Sequence, residues 1–259
     1  MKTLDVSLVQ CQLVWEKPQF NVEHIGALIV GIQQSDLIVL PEMFSTGFSM
    51  NARAFADDNR QLVLAWMRKT ASKRNTAICG SIIIEEGGNY YNRCYFITPD
   101  AEFYYDKRHL FSIAGEHRNY TAGKSRLVVE YKGWRIMPQV CYDLRFPVWS
   151  RNCNDYDLLL YVANWPEPRR DVWDKLLQAR AIENLSVVAG VNRIGSDGEG
   201  ITYNGGTQFV NERGEVVAMV PDNCEAVLQY SFNLESLQLF REKFPAWRDA
   251  DNFTIEGLS

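Results

Sequence analysis

Several features that would narrow the function at once are scarce or missing in this chain. Histidine is rare: only His24, His109 and His117 occur, and none stands at zinc-ligand spacing from a cysteine or carboxylate. No metal site is expected. The six cysteines (Cys11, Cys79, Cys94, Cys141, Cys153 and Cys224) include no C-x-x-C pair and no regular spacing. The first residues, Met1-Lys2-Thr3-Leu4-Asp5-Val6-Ser7, carry no apolar signal region, and no later hydrophobic run is long enough to cross a bilayer. Reduced thiols in a cytoplasmic protein are the simplest expectation, with no membrane partner. Positive charge is not in excess. A formal charge of −5 and a pI near 5.4 argue against nucleic acid as a partner. No internal repeat, low-complexity segment or linker interrupts the 259 residues, so one domain over 1–259 is the simplest organisation.

What is present alternates between two periods. Leu4 to Gln10 reads as a strand, Asn21 to Ser35 carries apolar residues at helical spacing, and Asp36 to Leu40 is a short apolar run fit for a strand buried on both faces. A helix is expected from Asp58 to Arg74. Strands follow over Thr76 to Glu85 and, after Gly87-Gly88, Tyr91 to Thr98; Phe103 to Tyr105 comes next. Arg126 to Glu130 and Trp134 to Val140 form a hairpin around Lys132-Gly133. Asp157 to Ala163 is another buried strand, and Asp171 to Asn184 is a helix with Trp173, Leu176, Leu177 and Ala181 on one face. Val187 to Asn192 is a strand, residues 195–200 a loop, Gly206 to Asn211 and Glu215 to Val220 a hairpin, and Glu225 to Ser231 the last strand. Helix-separated strands early and hairpins late predict an α/β sandwich of large mixed sheets rather than a barrel.

Three reactive residue types stand just past predicted strands. Glu42 follows Leu40-Pro41, Lys107 follows Phe103-Tyr104-Tyr105, and Cys141 follows Trp134 to Val140. Functional groups gather beyond strand ends, where loops meet above a rigid sheet, so the three can converge on one pocket. Acyl transfer would use all of them. Cys141 attacks a carbonyl carbon, Lys107 lowers the thiol pKa and stabilises an oxyanion, and Glu42 moves protons if burial makes it basic enough.

The trio, on Leu40-Pro41-Glu42-Met43-Phe44, Tyr105 to Phe111 and Val140 to Pro147, resembles the Glu-Lys-Cys site of the nitrilase superfamily of carbon–nitrogen hydrolases. The resemblance runs over nearly the whole chain. It implies a four-layer αββα sandwich of two mixed sheets with helices outside, a thioester intermediate, and no metal or organic cofactor. It also implies a second carboxylate near the lysine; the matching stretch, Ile113 to Gly123, puts that role on Glu116. Ala163-Asn164-Trp165-Pro166, Leu177 to Asn184 and Arg241-Glu242-Lys243-Phe244-Pro245 are similar to the ω-amidase branch, which releases ammonia from the terminal amide of short α-keto acids. An N-carbamoyl amino acid hydrolase, a general aliphatic amidase or nitrilase, or a non-catalytic member of the superfamily are the alternatives. One departure stands out: Pro138 lies where relatives often have a small residue, and proline suits a sheet edge or a bulge.

A substrate with a distal carboxylate needs a cation in the pocket. Arg145, four residues after Cys141, is one candidate, although it could pair with Asp143 instead. Arg169 and Arg170, on the loop after Pro166, are others. Trp165, Phe44 and Tyr142 are candidates for the apolar wall, and the Tyr142 N–H for the oxyanion. Arg180 and Glu183, three apart on one helix, read as a structural pair. The resemblance further implies at least a homodimer, formed through the Asp171 to Asn184 helix and the 234–259 tail, where Leu237, Leu239, Phe240, Phe244 and Trp247 offer apolar surface.

Overall fold

A computed structural model describes residues 2–255. The first half of the chain runs β1 (Thr3–Gln10), α1 (Pro18–Ile29), β2 (Leu37–Val39), α2 (Ala52–Asp58), α3 (Leu64–Arg74), β3 (Ala77–Glu86), β4 (Asn89–Ile97) and β5 (Glu102–Asp106). The second half runs β6 (Val129–Tyr131), β7 (Trp134–Val140), α4 (Pro147–Ser150), β8 (Leu158–Ala163), α5 (Arg170–Asn184) and β9 (Val187–Asn192). A small hairpin of β10 (Ile194–Ser196) and β11 (Thr202–Asn204) precedes β12 (Gln208–Val210) and β13 (Val216–Met219). β14 (Ala226–Asn233) and α6 (Leu234–Lys243) follow, with a 3-10 turn at Ala246–Asp249.

The strands form two six-stranded sheets, ordered β14-β1-β2-β3-β4-β5 and β13-β12-β9-β8-β7-β6. Each has three parallel strands at its centre, β1, β2 and β3 in one and β7, β8 and β9 in the other, with antiparallel strands outside them. The period of two sorts the side chains. Leu4, Val6 and Leu8, with Leu37 and Val39, join Leu158 and Val162 of the second sheet in one core. Val9, Ile38 and Leu40 face the other way, onto Val22, Ile25 and Ile29 of α1 and Leu64 and Met67 of α3. On the far side α5 lays Trp173, Leu177 and Ala181 against the second sheet. A Cβ on Gly190 of β9 would lie 2.6 Å from Leu177 Cδ1, so only glycine lets the helix come this near. The layers are therefore helix, sheet, sheet, helix.

Some expectations shift. The first helix begins at Pro18 and stops at Ile29, six residues before Ser35. The second helical run begins at Ala52, and a π-helical turn, Asn59–Val63, joins α2 to α3. That turn brings the buried Asn59 amide onto the Ser45 hydroxyl (2.7 Å) and the Ile83 carbonyl (3.1 Å). Residues 195–200, expected as a loop, are largely the turn of the β10–β11 hairpin. Pro138 sits neither at a bulge nor in an outermost strand: β7 pairs with β8 in unbroken register through it. β6 covers only Trp134 to Ile136, so no strand stands opposite Pro138 on that side to miss its N–H. Among the described residues no helix is long and apolar enough to cross a membrane. Met1 and residues 256–259 of the expected interface tail lie outside the described residues.

Candidate active site

Four chain segments bring their polar groups to one end of the sandwich. Lys107 directly follows β5, Cys141 directly follows β7, and Asn164 directly follows β8, while Glu42 lies three residues past β2. Lys107 and Glu42 are buried, as is Glu116 on a 3-10 turn of the loop after β5. The Lys107 ammonium reaches Glu42 Oε1 at 2.9 Å and both oxygens of Glu116 at 3.0 and 2.9 Å. Asn92, in the middle of β4, donates from Nδ2 to Glu42 (2.8 Å) and to Glu116 (3.2 Å). Asn164 secures Glu42 from the other sheet: its backbone N–H donates to Oε2 at 2.9 Å, and its Nδ2 to the Glu42 carbonyl at 2.6 Å. The Phe111 N–H also donates to Glu116. Two carboxylates thus share one ammonium inside a shell of amide donors, which is what makes burying them tolerable.

Electrostatics follow from that geometry. Burial works against the charge on Lys107, but Glu116 and then Glu42 hold the ammonium well above its ordinary value. Burial pushes the Glu116 carboxyl up, and Lys107 only partly opposes it. Burial, then the charge of Glu42, also drives the Cys141 thiol well above its usual range, with Lys107 pulling the other way. Lys107 does act on the thiol in the expected direction, lowering its pKa, but burial and Glu42 outweigh it.

Cys141 itself opens a short 3-10 turn, Cys141–Arg145, with φ at 43°. A non-glycine residue in this left-handed region stores about 1–3 kcal/mol and persists only where its surroundings enforce it. The turn lifts the sulfur off the strand axis, and Sγ stands 3.8 Å from the Asn164 carbonyl.

Above the sulfur lies a cavity of about 350 Å³. Lys107 and Cys141 lie in its lining, and Tyr142, Trp165, Phe48, Phe111 and Tyr203 supply aromatic wall. Arg145 and Arg169 line it too. The Arg145 guanidinium lies over the Trp165 ring at 5.2 Å and that of Arg169 over Phe111 at 5.3 Å. Neither has a carboxylate partner among the described residues. The pairing of Arg145 with Asp143 does not form, because Asp143 is occupied by His109, Tyr105 and the Val140 N–H. Arg170 is tied to Asp174 and Asp222 and is not part of the cavity lining. Phe44 is not part of the wall either. It is buried behind the site beside Trp66, in the core under α1 and α3. Asn192, the last residue of β9, brackets Trp165 by accepting its N–H and donating to its carbonyl. Arg180 and Glu183 do pair, at 2.9 Å, and Arg180 also donates to the Leu144 carbonyl of the Cys141 turn.

A family model of carbon–nitrogen hydrolases matches residues 5–242. The chain belongs to the carbon–nitrogen hydrolase family. Among this family's members, the omega-amidase YafV of Yersinia enterocolitica is 49% identical over 98% of this chain and 100% of its own length. The 2-oxoglutaramate amidase of Bacillus subtilis is 31% identical over 94% of this chain and 96% of its own. The crystal structure of the carbon–nitrogen hydrolase XC1258 from Xanthomonas campestris, which has an arsenic adduct in its active site, superposes with a TM-score of 0.93 at 42% identity, covering 98% of this chain and 100% of that one. Within this carbon–nitrogen hydrolase, sequence reasoning passed over Asn92, Asn164, Phe48, Phe111 and Tyr203. Asn164 follows a strand end as Cys141 does and could have been found by the same rule; Asn92 offered only an amide in the middle of a strand.

Proposed function

We propose that the protein is an ω-amidase, hydrolysing the terminal amide of short α-keto acids such as 2-oxoglutaramate and 2-oxosuccinamate through a Cys141 thioester. One observation carries the reading: the cavity over Cys141 and Lys107 also holds Arg145 and Arg169, two cations with no carboxylate among the described residues to answer them. Both guanidinium groups are half-buried, and a substrate carboxylate at the far end from the amide would give them a charge-assisted partner. The relatives named above act in the same sense.

The chemistry runs as follows. Cys141 Sγ bonds to the amide carbon while its proton passes to Glu42. The carbonyl oxygen becomes an oxyanion beside the Lys107 ammonium and the Tyr142 N–H. Glu42 returns the proton to nitrogen, the C–N bond breaks, and ammonia leaves the thioester. Water then adds to the thioester carbon with Glu42 taking its proton; the C–S bond breaks and the sulfur is reprotonated. Glu116 keeps Lys107 charged and in place. Trp165 and Tyr142 form the apolar wall beside the substrate's methylenes, and Arg145 with Arg169 holds its carboxylate.

Ammonia release from both keto-acid amides, by wild type and Cys141→Ala, tests the reading. Turnover is expected to vanish in the variant with its fold retained. A neutral aliphatic amide hydrolysed as well as 2-oxosuccinamate would overturn the ω-amidase assignment, and a nitrile or carbamoyl amino acid preferred over both would move it elsewhere in the superfamily. The cytoplasm as compartment fits six unpaired thiols.

A further inference from the structure

Behind the nucleophile stands a third buried carboxylate, that of Asp143, which has no part in the chemistry just described. Its Oδ2 accepts the Val140 N–H at 3.0 Å and the Tyr105 hydroxyl at 2.8 Å. Its Oδ1 accepts the backbone N–H of His109 at 2.9 Å and lies 2.8 Å from the ring Nδ1 of the same residue. The segments joined in this way are those that present the reacting groups: Val140 immediately precedes Cys141, and His109 follows Lys107 by two. The Tyr105 hydroxyl is itself held by the Arg108 N–H (3.1 Å) and by Trp149 Nε1 (2.9 Å).

The other face of His109 is stacked. Its ring lies parallel to Phe146, with centroids 3.8 Å apart and 6° between planes. Phe146 meets Tyr142 edge-on at 5.1 Å, and Tyr142 meets Phe111 at 4.9 Å. Phe111 is the ring beneath Arg169. One side chain therefore touches the support of the Cys141 turn directly and, through Phe146, reaches the aromatic wall of the cavity.

Topology makes such a support necessary. Lys107 hangs from β5, the edge of one sheet, and Cys141 from β7 of the other, and no ladder of backbone hydrogen bonds connects the two strands. Their relative position is set by side chains, and the strained φ of Cys141 needs added restraint. We propose that His109 is a positioning residue with two separable effects. Through Asp143 it keeps Cys141 in register with Lys107, and through Phe146 and Tyr142 it keeps the wall that carries Arg169 in place. The first effect bears on the chemical step, the second on substrate binding.

Substitutions separate the two. His109→Phe retains the stack and removes the ring N–H. His109→Asn retains a donor toward Asp143 and removes the stack. His109→Phe is expected to lower kcat on 2-oxoglutaramate by roughly ten- to a hundredfold, the loss typical of a reacting group misplaced by about 1 Å, with KM little changed. Alkylation of Cys141 by iodoacetamide, followed by mass spectrometry of its peptide, should slow in parallel. His109→Asn is expected to keep kcat and alkylation near wild type and to raise KM. Tyr105→Phe, which removes another donor to Asp143 and leaves the stack intact, should behave like His109→Phe and serves if that variant does not fold. Variants that lose thermal stability while kcat and KM hold, or that lose both in equal proportion, overturn the proposal. It rests on Cys141 as nucleophile, but full turnover by Cys141→Ala would fault that reading alone, whereas the split between kcat and KM judges His109.

Discussion

The Cys141 sulfur keeps its proton in the resting protein, because burial and Glu42 outweigh the pull of Lys107. On the proposed mechanism the nucleophile is therefore made during attack, as Glu42 takes the proton, and does not stand ready as a thiolate. Iodoacetamide should accordingly modify Cys141 slowly near neutral pH and ever faster as the pH rises past about 9; a rate already level from neutral pH upward would show a standing thiolate. Stability follows the same titration. In the unfolded chain the thiol ionises near about 8.5, below its folded value, so its contribution is whole below that pH and drains away above it. Cys141→Ala should lose less thermal stability than wild type on going from about pH 8 to pH 10. As for what could be read beforehand, Glu42, Lys107 and Cys141 stand out because each follows a strand closely enough to be seen along the chain. Glu116 lies in a loop and was visible only through family resemblance. Phe44 misled because nearness to Glu42 in sequence says nothing about direction: with Met43 at a positive φ the chain turns there, and the ring goes into the core behind the site.

At the scale of elements, the loop from Lys107 to Gly123 carries more of the site than any strand. It is closed by the Gly123 N–H donating to the Lys107 carbonyl at 2.9 Å. A Cβ on Gly123 would fall 2.0 Å from the Asp106 carbonyl oxygen, which is backbone and cannot step aside. Gly123→Ala is therefore expected to shift the loop that holds Lys107, Phe111 and Glu116 and to reduce kcat by about tenfold or more. Steady-state kinetics beside a thermal melt would check it, since kcat should fall even well below the melting range. Strands and the long helix were legible because their patterns are strong: β9 occupies the predicted Val187 to Asn192, and α5 starts one residue early. The π turn of Asn59–Val63 and the β10–β11 hairpin were not. A helix widened by one residue keeps nearly the same apolar spacing, and three-residue strands are too short for a period to show.

For the whole molecule, we propose a single catalytic domain that assembles as a homodimer. One hydrophobic cluster spans both sheets, which fits one cooperative unit. Leu237 is withdrawn from the expected interface because it is buried in its own core, but Leu239 and Phe244 of the tail and Ile182 of α5 are all more than half exposed. Solvent-facing apolar residues on α5, on α6 and just past it suit burial against a second copy. Light scattering should give twice the 29.8 kDa chain mass, and Phe244→Asp with Ile182→Asp should halve it; a monomeric wild type would remove the proposal.

The division of labour between the sheets has a consequence for how the molecule comes to life. Glu42 and Lys107 come from the sheet that the first half of the chain builds together with β14, and Cys141 and Asn164 from the other. Neither sheet holds a working half-site, and no local segment can be competent ahead of the rest. On the proposed mechanism, turnover requires both sheets to be docked face to face, and a chain with both sheets formed but apart would look structured and remain silent.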